Sequence, residues 1–257
     1  MKKYPLSFQK NIRDIGGLLG YQDKKIKYGK FYRGGALVKL TDEDIDIIKS
    51  FNLTDIVDFR SSDEYISRPD YRLNGVTYHN YPVLPENPGI ETIAKKEDGN
   101  LIWFVEKGYS GYEHLKKMYH HLILTEEGIA AYKNFFKIIM QEDKVIYFHC
   151  SQGKDRAGFA AYLIEIALGV SDDVAINDYL LSNEAMAIRV EFLLDKIKEE
   201  TYFDEKYKES LINVFSAKLD YLNETIKSMK EHYGGTIEFI QNVLEVDIDK
   251  LREMYLE

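Results

Sequence analysis

Residues 144–169 read KVIYFHCSQGKDRAGFAAYLIEIALG, and this run decides the fold. It opens on a short apolar strand at 145–149, passes through a polar turn and continues into an apolar helix closed by Gly169. A strand that runs through a tight turn into a helix aims backbone N–H groups at one spot. Together with the helix dipole, those groups make an anion site. The side chains suit such a site. Cys150 stands at the strand end, where N–H donors favour the thiolate, the nucleophilic form of the group. Gly153 lets the turn close and lets backbone approach a ligand. Arg156 opens the helix, where its planar fork can hold two phosphate oxygens. Gly158 lets the helix start pack closely on the sheet, and His149 is placed to orient the loop through its ring, a role compatible with a buried histidine.

Outward from this run, further strand patterns fall at 31–33, 56–59 and 76–83, with helical patterns between them. Thr41 reads as an N-cap with Asp44 at the capping-box position, ahead of Ile45, Ile47 and Ile48. Strands alternating with helices predict an α/β fold with a central, mostly parallel sheet flanked by helices on both faces. A helix is expected over 126–140, with Tyr132, Phe135, Phe136 and Ile139 on one face. Residues 87–122 are less regular and carry Trp103, Phe104, Tyr109, Tyr112 and Tyr119. They read as a partly helical insertion, serving either as a lid over a site or as packing alone. The C-terminal third, from about residue 172, reads as all helix, with segments at 174–181, 185–198, 211–229 and 236–243, the last two separated by Gly234–Gly235. No repeat, low-complexity tract or linker interrupts the chain, so residues 1–257 are expected to form a single domain.

The bulk composition fits this. Of the 257 residues, 45% are hydrophobic and 30% charged, as in an ordinary soluble globular protein. The net charge of −9 argues against nonspecific nucleic-acid binding and against an anionic-membrane anchor. No apolar stretch is long enough for a membrane span. One cysteine rules out an intrachain disulfide. The start, MKKYPLSFQK, is basic but leads into no apolar run, so the sequence as written shows no signal peptide. The expectation is a cytoplasmic protein, with secretion left open should a leader have been trimmed. Nothing in the sequence speaks to oligomeric state.

Two rival readings of the loop fail on its own residues. A nucleotide P-loop needs a glycine five residues ahead of Gly153 and Ser or Thr after Lys154, but those positions hold Phe148 and Asp155. A zinc site needs several Cys or His ligands at set spacing, and one Cys beside one His does not suffice.

The stretch HCSQGKDRAG at 149–158 resembles the His-Cys-(five residues)-Arg signature of protein tyrosine phosphatases and their dual-specificity and lipid-phosphatase relatives. It looks most like a bacterial and fungal tyrosine-phosphatase family with the loop HCxxGKDRxG, which includes secreted members from mycobacteria and Listeria. NIRDIGG at 11–17, FYRGGAL at 31–37, DFRSSDE at 58–64 and DYLLSNE at 178–184 are similar to other segments of that family, so the resemblance spans most of the chain.

The resemblance implies a two-step displacement without metal or cofactor. Cys150 attacks phosphorus to form a phosphocysteine, and water then hydrolyses it. The phosphate oxygens rest on Arg156 and on the loop formed by Ser151, Gln152, Gly153, Lys154, Ala157 and Gly158. Asp155 maps to the favoured general acid. Lys154, Arg156 and the helix N-terminus favour its ionised form, whereas a bound phosphate dianion pushes the other way. No separate acid-bearing loop is matched, since the stretch NYPVLPENPG offers only Glu86, and Asp14, Asp58 and Asp63 stand in reserve. Lys154 adds positive charge at the loop rim, similar to loops that take phosphoinositides as well as phosphotyrosine. Arg13, Asp14, Arg33 and Arg60 are expected to brace the site from behind, and Arg60 follows a strand from which it could reach the phosphate.

One departure stands out. Most relatives have Ser or Thr after the arginine, and this chain has Ala157. That hydroxyl helps the thiolate leave in the second step. The leading expectation is therefore a phosphomonoesterase acting on phosphotyrosine, with phosphoserine/threonine and phosphoinositides as further candidates. The alternative is a catalytically weak phospho-binding module of the same fold, favoured by Ala157 and opposed by the intact Cys150 and Arg156. A sulfur- or arsenate-handling loop of rhodanese type fits less well, because such loops generally lack the Gly-Lys-Asp-Arg series.

Overall fold

A computed structural model of the chain describes residues 2–3, 11–84, 111–200 and 205–257. The strand that precedes the cysteine, β6 (Ile146–His149), lies inside the sheet. It pairs in parallel with β3 (Phe31–Gly34) on one side and β4 (Asp55–Asp58) on the other. β5 (Thr77–Asn80) continues the parallel set beyond β4. Beyond β3, the two-residue strands β2 (Arg13–Asp14) and β1 (Lys2–Lys3) run antiparallel. The order among the described residues is β1-β2-β3-β6-β4-β5. The expected mostly parallel α/β sheet is thus observed. Its antiparallel edge was not legible, because two residues show no alternation. The pattern at 76–83 yields only the four residues of β5.

Side chains alternate along each strand, so every central strand feeds two cores. Phe31, Val57, Ile146 and Phe148 enter the larger core, whereas Tyr32, Ile56 and Tyr147 enter the smaller one with Ile48 and Phe51. The smaller core is closed by α1 (Asp42–Lys49), whose capping box pairs Thr41 with Asp44 as the sequence predicts. The larger core takes α4 (Glu126–Ile139), with Tyr132, Phe135, Phe136 and Ile139 all buried. Side chains of this size contribute about 1.5–3 kcal/mol each on full burial. The helix after the loop, α5 (Arg156–Ala167), is buried at every position past Arg156. A helix apolar on all sides has to be covered on all sides.

The stretch 85–110, with Glu86, Trp103, Phe104 and Tyr109, lies outside the described residues. From Gly111 the chain is a regular helix, α3 (Gly111–Leu124), which sends Leu115, Met118, Tyr119 and Leu122 into the larger core. The C-terminal third is helical as expected, through α6 (Asp172–Leu180), α7 (Ser182–Glu200), α8 (Glu205–Phe215) and α9 (Leu219–Tyr233). The helix anticipated over 211–229 is really two. Asn183 captures both backbone groups of Ala217, accepting its N–H at 2.7 Å and donating to its carbonyl at 2.9 Å, and so breaks the helix there. The segment 236–243 is one turn, Thr236–Glu238, followed by a wider turn over Phe239–Val243. A last helix that the periodicity did not show, α10 (Ile248–Tyr255), starts on the Asp247 cap. After it, Leu256 pairs with Ile26. Among the described residues no helix is long and apolar enough to cross a membrane.

Candidate active site

Strands β3, β4 and β6 end in register, with both Gly34 and Asp58 opposite His149. In open α/β sheets ligands bind beyond the carboxyl ends of the strands, where the chain order reverses. The loop 150–155, between β6 and α5, lies at such a point.

The loop's carbonyls are held from behind, one after another. Cys150 O faces His149 Nδ1 at 3.3 Å, and Ala36 N donates to Ser151 O at 3.4 Å. Asn11 Nδ2 donates to Gln152 O at 3.0 Å, and Arg33 Nη2 donates to Gly153 O at 2.9 Å. Phe159 N donates to Asp155 O at 2.8 Å, and the Tyr132 hydroxyl donates to Arg156 O at 3.1 Å. The N–H groups of residues 151–155 donate to no protein acceptor among the described residues. Successive outward carbonyls and undonated amides make a concave cluster of donors, the arrangement that holds an oxyanion. Gly153 makes the turn feasible. Its φ is +66°, and a Cβ there would collide with the backbone of Gly34. Gly158 allows a close approach too, since a Cβ would sit 2.8 Å from Arg33 Nη2.

Cys150 is buried within this loop. Arg156 lies beside it, with Nη1 donating to Glu64 Oε2 at 2.6 Å and Nη2 to Glu64 Oε1 at 3.2 Å. The Ser151 hydroxyl also donates to Glu64 Oε1. Burial alone would raise the Glu64 carboxyl, but the Arg156 charge and these hydrogen bonds outweigh it and hold the group well below the usual carboxylate range. Burial pulls Arg156 down, while Glu64 and then Cys150 more than restore it, so the guanidinium stays charged. Glu64 occupies the Nη1/Nη2 end of the fork. The Nε/Nη2 edge meets only the Ser151 hydroxyl, at 3.4 Å, among the described residues. That edge can still grip two oxygens of an anion.

Behind the cysteine, His149 Nε2 lies 3.2 Å from Asp70 Oδ2 and Nδ1 lies 3.8 Å from Asp58 Oδ1. Burial disfavours the charged ring, but Asp70 and then Asp58 overcome this and raise its pKa. Asp70, also desolvated, is pulled to about 2 by His149 and Arg60. Asp58, Asp70 and His149 are close enough together to hold a metal ion. The Arg60 guanidinium already fills the gap between the carboxylates, reaching Asp58 Oδ2 at 2.6 Å and Asp70 Oδ2 at 2.9 Å. The cluster is thus an ion-pair brace whose cationic demand is met by Arg60 and His149.

A family model described as the tyrosine phosphatase family matches residues 4–257. The chain belongs to the tyrosine phosphatase family. It is a protein-tyrosine-phosphatase-type enzyme, and phosphorylated protein is its substrate class. A Cupriavidus necator protein named as a tyrosine-protein phosphatase is 26% identical over 252 residues, covering 96% of this chain and 85% of the relative. The triple specificity protein phosphatase PtpB of Mycobacterium tuberculosis is 21% identical over 276 residues, covering 95% and 99%.

Within this phosphatase the remaining anticipated residues fall into distinct places. Arg60 cannot reach an anion in the loop, because it is fully buried and committed to Asp58, Asp70 and the Arg68 carbonyl. The same ion pair withdraws Asp58 from acid duty. Asp14 ties loops together, accepting from Gly16 N and Gly29 N at 2.8 Å each. Asp63 lies in the first turn of α2 (Ser62–Ser67). Lys154 does not stand at the rim. It is buried, with Nζ donating to Val214 O at 2.6 Å and 3.4 Å from Asp155 Oδ1. The carbonyls freed at the C-terminal end of α8 attract the ammonium. Burial lowers its pKa, against the pull of Asp155 and Cys150.

Two supports escaped the sequence reading. Glu64 was hidden by its second role, since Ser61 and Glu64 also form the capping box of α2. Asn11 belongs to the NIRDIGG segment, but no spacing announces that its amide will meet Gln152 O.

Under the loop, Arg13 and Arg33 both pair with Asp178, at 2.9 and 2.6 Å. Glu165 lies in the same buried cluster, and neither of its oxygens has a hydrogen-bond partner among the described residues. Burial, followed by the Asp178 charge, raises its pKa well above the usual range despite Arg33 and Arg13. A carboxyl raised in the folded state binds a proton more tightly there than when unfolded. Its burial therefore costs nothing extra below about pH 4.3, and stability is lost as pH climbs from there through the folded pKa. Glu165→Gln is expected to raise the thermal midpoint at pH 8, at about 2–4 °C per kcal/mol relieved, with the gain shrinking towards pH 5. Melting curves at the two pH values check this.

Proposed function

We propose that this phosphatase hydrolyses phosphomonoesters through a phosphocysteine on Cys150, with phosphotyrosyl protein as its main substrate. The observation that carries the reading is the donor cluster around Cys150, five amide N–H groups left free because the loop's carbonyls are tied back. A phosphoryl group there has its oxygens on the amides and on the Nε/Nη2 edge of Arg156. The Cys150 thiolate attacks phosphorus, an S–P bond forms, and the P–O bond to the leaving group breaks. Asp155 gives its proton to the departing oxygen. Water then attacks the phosphocysteine with Asp155 as base, which restores the thiolate and releases phosphate. Specificity broader than phosphotyrosine is a secondary reading supported by the mycobacterial relative's being named a triple specificity protein phosphatase, with phosphoserine/threonine and phosphoinositides as the candidates. The inward position of Lys154 weighs against a phosphoinositide preference.

Rapid acid quench during turnover of phosphotyrosyl peptide, followed by mass spectrometry, tests the proposal. The expected product is one phosphoryl group on the peptide containing Cys150. Turnover with no such adduct would overturn it. A parallel panel of phosphotyrosyl, phosphoseryl and phosphoinositide compounds ranks the substrates.

Ala157 favours the second reading, a module that captures phosphate and turns over slowly. It is fully buried at the start of α5, so serine is a less crowded way than threonine to restore the hydroxyl. The wild type is expected to release nitrophenol from para-nitrophenyl phosphate in a burst followed by a slower steady state. Ala157→Ser should raise the steady-state rate severalfold and leave the burst rate unchanged. Stopped-flow absorbance separates the two phases, and a variant slowed in its steady state would count against the assignment.

A further inference from the structure

Asp155 stands at the head of α5, yet its carboxylate caps nothing, unlike Thr41, Ser61 and Asp247 at their helices. Its Oδ1 instead accepts the Tyr119 hydroxyl at 2.8 Å and lies 3.4 Å from Lys154 Nζ. The Tyr119 oxygen is 2.7 Å from the Tyr179 hydroxyl.

The carboxylate end of this series fixes the direction of both phenol protons. Each phenol has one proton, and an ionised carboxylate only accepts. The order is therefore Tyr179 to Tyr119, and Tyr119 to Asp155. Both phenols are fully buried, and desolvation holds their pKa values far above the ordinary tyrosine range, so both remain donors. Aligned donors in a buried setting polarise one another.

We propose that Tyr119, backed by Tyr179, is a positioning residue that confines the proton of Asp155 to Oδ2. This rests on the reading of Asp155 as the general acid. With Oδ1 engaged by a phenol and an ammonium, an arriving proton is left the other oxygen. The Asp155 side chain keeps 19% exposure, while both tyrosines keep none, so the carboxyl opens towards the loop's mouth and the relay stays dry. When the leaving oxygen departs, the proton passes from Oδ2 to it. Asp155 becomes a carboxylate that Tyr119 and Lys154 stabilise. The groups facing Asp155 are Lys154, Arg156, Tyr119, Tyr132, Tyr179 and Tyr221. Tyr132 and Tyr221 spend their protons on the carbonyls of Arg156 and Asn213, so neither replaces Tyr119.

The test compares two esters on the full chain. Phenyl phosphate has a poor leaving group that needs the acid, and para-nitrophenyl phosphate has a good one that needs it less. Tyr119→Phe is expected to lower kcat/KM for phenyl phosphate about tenfold and for the nitrophenyl ester about twofold. Tyr179→Phe should act in the same direction more weakly. If Tyr119→Phe fails to fold, Tyr179→Phe decides by the same readouts. Equal losses on both esters would mean packing alone and overturn the proposal. Asp155→Asn is the control for the underlying reading. A selective loss on phenyl phosphate supports the acid role, and equal losses on both esters would overturn that role itself.

Discussion

Cys150→Ser is expected to lower kcat/KM for para-nitrophenyl phosphate on the order of 10⁴-fold or more and to leave phosphate binding intact. The two side chains are near-isosteres, so the carbonyl ties that shape the loop survive. What changes is acidity. Backbone donors can hold a thiolate, but a serine hydroxyl is far too weak an acid for the same donors to ionise near neutral pH. Among the described residues Cys150 has no histidine placed as its base, because both His149 nitrogens are directed at Cys150 O and the Asp58/Asp70 carboxylates. With the thiolate charge gone, a dianion meets less repulsion, so phosphate should bind at least as tightly. Steady-state kinetics and calorimetric phosphate titration read the two halves of this result. Serine activity within tenfold of the wild type would remove Cys150 from the reaction.

Arg156→Lys is expected to cost about 10³-fold in kcat/KM with a thermal midpoint close to that of the parent. Lysine keeps the charge and can still pair with Glu64, so the buried carboxylate is not abandoned. It lacks the Nε/Nη2 edge, which is the part of the fork that Glu64 leaves open. A point charge cannot grip two equatorial oxygens at once, and the oxygens carry more charge in the transition state than in the ground state. The loss should therefore fall more on kcat than on KM. Activity within about tenfold of wild type would mean that the guanidinium serves only as the partner of Glu64.

Much of the fold could be read along the chain because it rests on local rules. The apolar run of α5 announced a helix, and Thr41 with Asp44 announced a cap; both are seen. The failures share a cause. The helix expected over 211–229 is broken because Asn183, distant in sequence, takes both backbone groups of Ala217. Lys154 leaves the rim for carbonyls on α8. Arg60 looked available after its strand but is consumed by two carboxylates. Glu64, not singled out along the chain, completes the cap of α2 and also anchors Arg156.

By itself, the sequence determined that residues 144–169 form a strand, a tight turn and an apolar helix, with a thiol at one end of the turn and a guanidinium at the other. Periodicity, glycine and side-chain chemistry are properties of neighbouring residues, so they are legible in order. Only the tertiary structure decided which groups turn the loop's carbonyls outward, which edge of Arg156 remains open and which oxygen of Asp155 is taken. Each of those depends on a hydrogen-bonding partner delivered from elsewhere in the chain, the donors Asn11, Arg33 and Tyr119 or the acceptor Glu64, and a hydrogen bond's direction is fixed by where its two ends meet in space.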